Sequence, residues 1–386
     1  MKYRIHAMHG FLPLYDTRGA RALDARATEL LGGDGYVLMQ RAGRAAWRHL
    51  AQSWPTARRL CVVCGPGNNG GDGYVLAHLA RKAGLEVKVL HLAEHVPATP
   101  LAQRACTEYV AAGGAIGLFP EEWPQGDVVV DALFGIGLAR APDAFAAALI
   151  DAVNAQPAPV FAMDVPSGLD ADLGSSPGKS IVADATLQFI ARHAGLHTGQ
   201  ALEHTGALAL DDLEVPPEAY GAALPVATLL TVDALPNWLF PRRRNSHKGE
   251  SGRVLCIGGD HGSGGAIVLC AEAALRSGAG LVDVATRELH VPVVLARRPE
   301  VMAHGIESGE DLEPLLSRAG AIGIGPGLGQ GEWGKAMLRL ALASQNPLVL
   351  DADALNFLAA APRVLTDAIL TPHPGEAARL LGIDTA

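Results

Sequence analysis

Nine residues between an apolar run and an alanine-rich stretch, Gly65-Pro-Gly-Asn-Asn-Gly-Gly-Asp-Gly73, set three polar side chains among glycines. Glycine lets a backbone approach a ligand and offer N–H groups to a phosphate beside a helix N-terminus. Asn68, Asn69 and Asp72 add amides and a carboxylate, groups that coordinate a hard cation or bind sugar hydroxyls. The plainer explanation is a tight turn whose Asn and Asp cap a helix opening at Tyr74. Capping needs one such residue, not three. Gly65, Gly67 and Gly70 also satisfy the dinucleotide pattern G-x-G-x-x-G, whose second requirement is an acid ending the next strand. That strand ends Val89-Leu90-His91-Leu92 and Glu94 falls beyond it, so a hydride-transferring dehydrogenase ranks last.

Two further apolar runs end in aspartate and then glycine. Asp127-Val-Val-Val-Asp131 leads into Ala-Leu-Phe-Gly-Ile-Gly-Leu138, and Val160-Phe-Ala-Met-Asp164 into Val-Pro-Ser-Gly168. Ligands of an open parallel sheet bind outside the carboxyl ends of its strands. The Asn/Asp segment, Asp131, Asp164 and Ser167 are therefore expected to line one crevice. Asn69, Asp131 and Ser167 supply oxygen ligands for a cation, which leaves Asp164 for proton transfer.

The second half repeats the pattern. His247-Lys-Gly-Glu-Ser-Gly252 precedes a strand that opens into Gly258-Gly-Asp-His-Gly-Ser-Gly-Gly-Ala266. Gly325-Pro-Gly-Leu-Gly329, Asp351-Ala-Asp-Ala-Leu-Asn356 and Thr371-Pro-His-Pro-Gly-Glu376 follow later strands. Polar, glycine-rich loops after strands suit a nucleotide or phosphate. Asp351 and Asp353 fit Mg²⁺ beside phosphates, and Asp353 equally fits a helix cap.

The elements that position these groups are short β-branched runs alternating with helical stretches, the signature of parallel sheets covered by helices. In the first half, helices are expected over 24–31, 37–51, 74–83 and 144–156, and strands over 59–64, 86–92, 128–133, 160–165 and 183–190. A Pro- and Gly-rich stretch around 213–224 places the boundary near residue 227, giving domains 1–227 and 228–386. Strands over 253–257, 281–285, 321–324, 347–350 and 368–370 are expected in the second.

With 386 residues, 49% apolar, the chain can bury large cores. Its net charge of −9 offers no electrostatic footprint for nucleic acid. No apolar run reaches the roughly 18 residues of a membrane span, and five scattered cysteines make no disulfide framework, so the chain reads as cytoplasmic. Cys61 and Cys64 lie three apart on a strand, so their sulfurs point to opposite faces and cannot converge on a metal. The histidines show no zinc-ligand spacing. Arg242-Arg-Arg244 reads as a linker and Arg297-Arg298 as a surface turn.

Asn68-Asn-Gly-Gly-Asp-Gly73, Val130-Asp131-Ala-Leu-Phe-Gly-Ile-Gly137 and Met163-Asp164-Val-Pro-Ser-Gly168 resemble, in order, the motifs of the NAD(P)H-hydrate epimerase domain. The resemblance covers about residues 15–220 and implies a Rossmann-like three-layer αβα domain. It further implies that a hydrated NADH or NADPH contacts Asn68, Asn69, Gly70, Gly71 and Asp72, then Gly135, Ile136, Gly137, Leu138, Ala139, Arg140 and Ala141, and Asp164. Asn69, Asp131 and Ser167 would hold a potassium ion. Relatives often carry a basic residue directly after the segment matching Gly135–Leu138; here Ala139 stands there and Arg140 follows.

The second half resembles ADP- or ATP-dependent NAD(P)H-hydrate dehydratases, which implies a ribokinase-like α/β fold using ADP or ATP with Mg²⁺. Ala266, Gly327 and the run His373, Pro374, Gly375, Glu376, Ala377, Ala378 and Arg379 would contact the hydrated nucleotide. The family continues to a Lys-Gly loop and a glycine-rich loop ending in a catalytic aspartate. Neither is found before Ala386, so this domain is expected to be partial. The expected activities are epimerisation of the R and S hydrates and, in the second domain, dehydration of the S form. A non-catalytic nucleotide-binding scaffold and a ribokinase-type kinase are the rivals. A homo-oligomer is left open.

Overall fold

The computed structural model describes residues 10–384 apart from 122, 124, 138 and 139. Two compact units divide at Phe240 and Pro241.

The first unit contains β1 (Phe11–Tyr15), α1 (Thr17–Leu30), α2 (Gly35–Ser53), β2 (Arg59–Cys64), α3 (Asn68–Lys82), β3 (Glu86–Leu92), α4 (Pro100–Ala111), β4 (Ala115–Phe119), β5 (Val128–Ala132), α5 (Ala144–Asn154), β6 (Val160–Met163), β7 (Ala185–Phe189), β8 (Arg192–His193), β9 (Ala207–Asp211) and β10 (Ala227–Leu230). Local signals start the helices. The side chains of Asp16, Thr99 and Asp143 cap α1, α4 and α5, and Pro100 takes the first position of α4, where its missing N–H costs nothing. Helix α2 buries Tyr36, Met39, Gly43, Ala46 and Leu50, the three- and four-residue spacing of one helical face.

Seven parallel strands form the main sheet in the order β4-β3-β2-β5-β6-β7-β9. The chain winds one way from β2 and the other way from β5, so the switch point lies between those two strands. That is where the two outgoing loops part and leave a crevice. Cys61 and Cys64 of β2 are free thiols buried in two different apolar clusters, as the strand alternation requires. A second, three-stranded sheet has the order β10-β1-β8. Its β10 pairs antiparallel with β1, which carries the first unit to Phe240, beyond the boundary at 227 read from the turn residues.

One expectation fails at the most informative segment. Helix α3 begins at Asn68, not Tyr74, and its N-cap is Gly67 with no side-chain cap bond. Asn68, Asn69 and Asp72 therefore stand on the first turns of a helix instead of capping one. Packing explains it: a Cβ on Gly70 would lie 2.0 Å from the Gly65 carbonyl oxygen, so only glycine lets the first turn sit on the preceding loop.

The second unit contains β11 (Arg253–Ile257), α6 (Gly264–Arg276), β12 (Leu281–Thr286), α7 (Val291–Arg297), β13 (Met302–Gly305), α8 (Gly309–Leu316), β14 (Ala321–Ile324), α9 (Glu332–Ala343), β15 (Leu348–Leu350), α10 (Ala352–Ala360), β16 (Ala368–Leu370) and α11 (Pro374–Leu381). Its parallel sheet runs β13-β12-β11-β14-β15-β16, with the switch point between β11 and β14. The α/β class expected from the sequence holds in both units.

A buried carboxylate pins three strands of this second sheet. Asp283 on β12 is 1% exposed. It accepts from Arg253 Nε (2.5 Å), Arg253 Nη2 (3.1 Å) and Arg318 Nη2 (2.9 Å), and His304 Nε2 lies 2.9 Å away. Burial pushes its carboxyl up, but the bonds from Arg253 and His304 outweigh that and hold it below the ordinary value. A depressed folded pKa gives stability that is complete above the unfolded value near ~3.9 and is lost as pH falls through the folded one. Asp283→Asn should cost about 2 kcal/mol near pH 7, because it weakens the charge-assisted hydrogen bonds from the partly exposed Arg253 and Arg318. Urea unfolding of the second unit at pH 7 and at pH 3 checks this. The gap between variant and wild type should narrow at the lower pH, and a loss below about 0.5 kcal/mol at pH 7 would refute the assignment.

Candidate active site

Above the switch point of the first sheet lies a cavity of about 1000 Å³. Loops leaving β2, β5 and β6 form its floor, and α1 and α2 form its wall. Asn68, Asn69, Asp72, Gly135, Ile136, Gly137, Arg140 and Asp164 all line it. Gly70 and Gly71 are buried beneath it in the packing of α3, and Ala141 lies against Gly178. Leu138 and Ala139 fall outside the described residues.

Asp131 and Ser167 tie two of these loops together. Asp131 Oδ1 accepts from the Ser167 hydroxyl (2.6 Å) and the Leu133 N–H (3.1 Å), and Oδ2 accepts from the Ser167 N–H (2.7 Å). The Phe134 N–H donates to Ser167 Oγ (2.8 Å). Burial pushes the Asp131 carboxyl up to about 6 against those three bonds.

Asn69 Nδ2 donates to the carbonyls of Phe134 (2.9 Å) and Met163 (3.3 Å), which fixes the orientation of its amide. Its Oδ1 is buried and has no hydrogen-bond partner among the described residues. The Asn69 amide oxygen, the Asp131 carboxylate and the Ser167 hydroxyl are oxygen groups of the kind a hard cation takes. Among the described residues no group of three or more His, Cys, Asp or Glu side chains is placed to hold a metal.

Asp164 follows β6 in the left-handed region at φ 65°, which aspartate tolerates better than most residues. Its Oδ1 lies 3.1 Å from His193 Nε2, and a Cβ built on Gly135 would meet its Oδ2 at 3.1 Å. Glycine at 135 therefore keeps the second carboxylate oxygen clear. Desolvation, then the charges of Asp164 and Asp24, raise the Asp72 carboxyl well above the ordinary range. Desolvation, then Asp164, also raises Asp24. The cavity thus carries three mutually repelling acids, with Arg21 and Arg140 also in its wall. Arg21 Nη2 donates to the Ile136 carbonyl (3.5 Å).

Sequence reasoning missed Asp24, Arg21 and His193. The first two sit on exposed positions of an amphipathic helix, and His193 sits on a two-residue strand. None of them carries a local signal.

In the second unit, the loops after β11 and β14 meet at the switch point. A side chain on Gly327, at φ 61°, would strike Ser263 and Ala266, so Gly327 and Ala266 are neighbours. Asp353 does not cap α10, whose N-cap position is Asp351. Asp353 Oδ2 accepts from the Gly329 N–H (2.9 Å) and so anchors the Gly325–Gly329 loop. Asp351 occupies the cap position without a cap bond and accepts from Thr371 Oγ1 (3.0 Å). His373 caps α11 by accepting from the Gly375 N–H (3.0 Å), and the His373 N–H in turn donates to Glu376 Oε2 (2.9 Å). Pro374 opens that helix, Ala377 stands on its first turns, Glu376 and Ala378 are buried, and Arg379 Nε donates to Asn356 Oδ1 (2.9 Å). A group not foreseen stands nearby. Arg287 donates to Asp260 (2.8 Å) and Glu307 (2.5 Å) and lies over the Trp333 ring.

Residues 35–195 match the model of the YjeF-related protein N-terminus family, and residues 254–385 that of the NAD(P)H-hydrate dehydratase family. The chain is 45% identical over 364 residues to the bifunctional NAD(P)H-hydrate repair enzyme of Escherichia coli (strain K12), covering 94% of this chain and 70% of that one. Against the enzyme of the same name from Coxiella burnetii (strain RSA 493 / Nine Mile phase I) it is 45% identical over 371 residues, covering 96% and 76%. Among solved structures, an ADP/ATP-dependent NAD(P)H-hydrate dehydratase from Bacillus subtilis, co-crystallised with ATP and Mg²⁺, is 31% identical over 40% of this chain and 56% of that one, with a TM-score of 0.35. Identity at this level across most of both chains, with both family models matched in order, makes this chain a member of the bifunctional NAD(P)H-hydrate repair enzyme family.

Proposed function

We propose that the first unit interconverts the R and S hydrates of NADH and NADPH in the cytoplasm, and that the second unit binds the S hydrate for ADP- or ATP-dependent dehydration with Mg²⁺. The observation that carries the first half is the cavity at the switch point, where Asp164 presents one free carboxylate oxygen beside the acid Asp72.

The hydroxylated carbon of the substrate adjoins the ring nitrogen. Inversion there breaks the C–O bond as the leaving oxygen takes a proton, and the nitrogen lone pair stabilises the cationic ring. Water then adds to the opposite face and returns a proton to the protein. Asp164 gives and takes that proton. Asp72, held toward its protonated form, donates a hydrogen bond to the substrate without adding a second negative charge. Arg21 and Arg140 answer the pyrophosphate. A potassium ion fits Asn69 Oδ1, Asp131 and Ser167. When bound it would offset the burial of the Asp131 carboxylate and set the loops after β5 and β6.

Two measurements test this reading. The first follows absorbance of NADPH regenerated from the R hydrate by a separate dehydratase that accepts only the S form, in potassium buffer. Wild type should speed recovery, and Asp164→Asn should lose on the order of 10²-fold or more in turnover while still binding nucleotide. An unaccelerated wild type that folds and binds nucleotide would leave the scaffold reading standing. The second titrates potassium against sodium in the same assay. Ser167→Ala should raise the potassium needed for half-maximal rate by about tenfold. A rate indifferent to the cation would remove potassium from the site.

A further inference from the structure

Asp164 is served by a side chain that the epimerase reading above leaves without a task. We propose that His193 is the positioning residue of Asp164: its Nε2–H fixes one carboxylate oxygen, so the other is presented to the ring carbon in a single orientation. This deepens the epimerase reading and rests on it.

Four observations carry the assignment. First, the imidazole is 2% exposed and its Nε2 lies 3.1 Å from Asp164 Oδ1. Oδ1 accepts in that bond, as a carboxylate oxygen or as the carbonyl oxygen of a carboxyl whose proton sits on Oδ2, so the proton in it belongs to Nε2. Second, His193 Nδ1 is buried and has no hydrogen-bond partner among the described residues. The bond to Asp164 therefore selects the tautomer, and a proton on Nδ1 would be buried unpaired among them. Third, the backbone beneath the ring is fixed. The His193 N–H donates to Gln188 Oε1 (2.7 Å), and β8 pairs His193 with Tyr15 of β1. Fourth, Asp164 Oδ2 points the other way, to the loop at Gly135. The carboxylate is therefore divided, with one oxygen held and one free.

That division matters because a carboxylate has two equivalent oxygens and a nearly free terminal torsion. At φ 65° the backbone brings Asp164 into the cavity, and the histidine settles which oxygen faces the substrate. A proton-transfer group must lie within hydrogen-bond reach of the reacting atom, and misplacement by about 1 Å costs on the order of 10²-fold. In the step itself His193 keeps its proton. Asp164 enters the step protonated on Oδ2 and gives that proton to the departing hydroxyl oxygen, water leaves, and a second water adds to the opposite face and returns a proton to the carboxylate.

The test uses the full chain and the coupled assay, with His193→Leu and His193→Gln, since a glutamine amide places an N–H donor near the position of Nε2. His193→Leu should lower kcat by about 10- to 100-fold with KM within about twofold, while His193→Gln recovers most of kcat. Thermal unfolding of both variants accompanies the kinetics. A folded His193→Leu with wild-type kcat overturns the proposal, and so does equal loss in both variants, which would make the ring a packing element. Proton NMR reads the bond independently of turnover. Wild type should show a slowly exchanging imidazole Nε2–H resonance that disappears in Asp164→Ala, and its absence from wild type also overturns the proposal. A wild type without epimerase activity that still shows the resonance would sink the functional reading and leave the pair standing.

Discussion

A carboxylate buried between two loops sets the first site. Asp131 ends β5 where water does not reach, and burial drives its carboxyl up to about 6 even though Ser167 and Leu133 supply three hydrogen bonds. A group in that position survives only if its surroundings supply what water would. The Ser167 hydroxyl and N–H do so from the loop after β6, and Phe134 answers on the same hydroxyl. The demand of one buried charge thus fastens the ends of neighbouring strands, and the Asn69 amide, bonded to carbonyls of both loops, joins them to α3.

The glycines of the motif follow from that convergence. For Asn69 to reach both carbonyls, α3 must start directly over the end of β2, and Gly70 removes the Cβ that would strike the Gly65 carbonyl. A loop with capping residues could not hold the amide so rigidly. Helix placement, amide orientation and the orphaned Asn69 Oδ1 are consequences of one packing requirement. Gly135 plays a matching part across the cavity by leaving room for the free oxygen of Asp164.

This division explains what the sequence disclosed. Asp131, Asp164 and Asn69 were legible because each sits where a buried run meets a glycine-rich segment, and parallel sheets put those junctions on one side. The strands over 253–257, 321–324 and 368–370 were legible for the same reason, as short apolar runs bounded by polar turns. The edge strands β4 and β13 were not. β4 is half exposed and β13 has four residues of intermediate burial, so neither shows an apolar run. The start of α3 was hidden because glycine and asparagine are poor helix formers, and packing overrode that preference. Asp24 and His193 were hidden for a deeper reason. They reach the cavity from α1 and from the small sheet, so their nearness to Asp164 exists only in three dimensions.

In the proposed mechanism the small sheet has a positioning part that its size conceals. Its strands bury little, yet β1 fixes the two residues of β8, and β8 fixes His193. Asp164 carries a conformational cost on the order of 1–3 kcal/mol for its left-handed backbone. That cost is tolerable only where the surroundings overdetermine the residue. Its N–H donates to the Leu187 carbonyl (2.8 Å), which anchors the backbone to β7, while His193 anchors the side chain from the other sheet. Two sheets thus meet at one carboxylate, each restraining a different part of it. The backbone restraint alone would leave two oxygens exchanging places, and the side-chain restraint alone would leave the residue free to relax out of the cavity. Under the proposed epimerase reading, proton transfer to the leaving oxygen needs both.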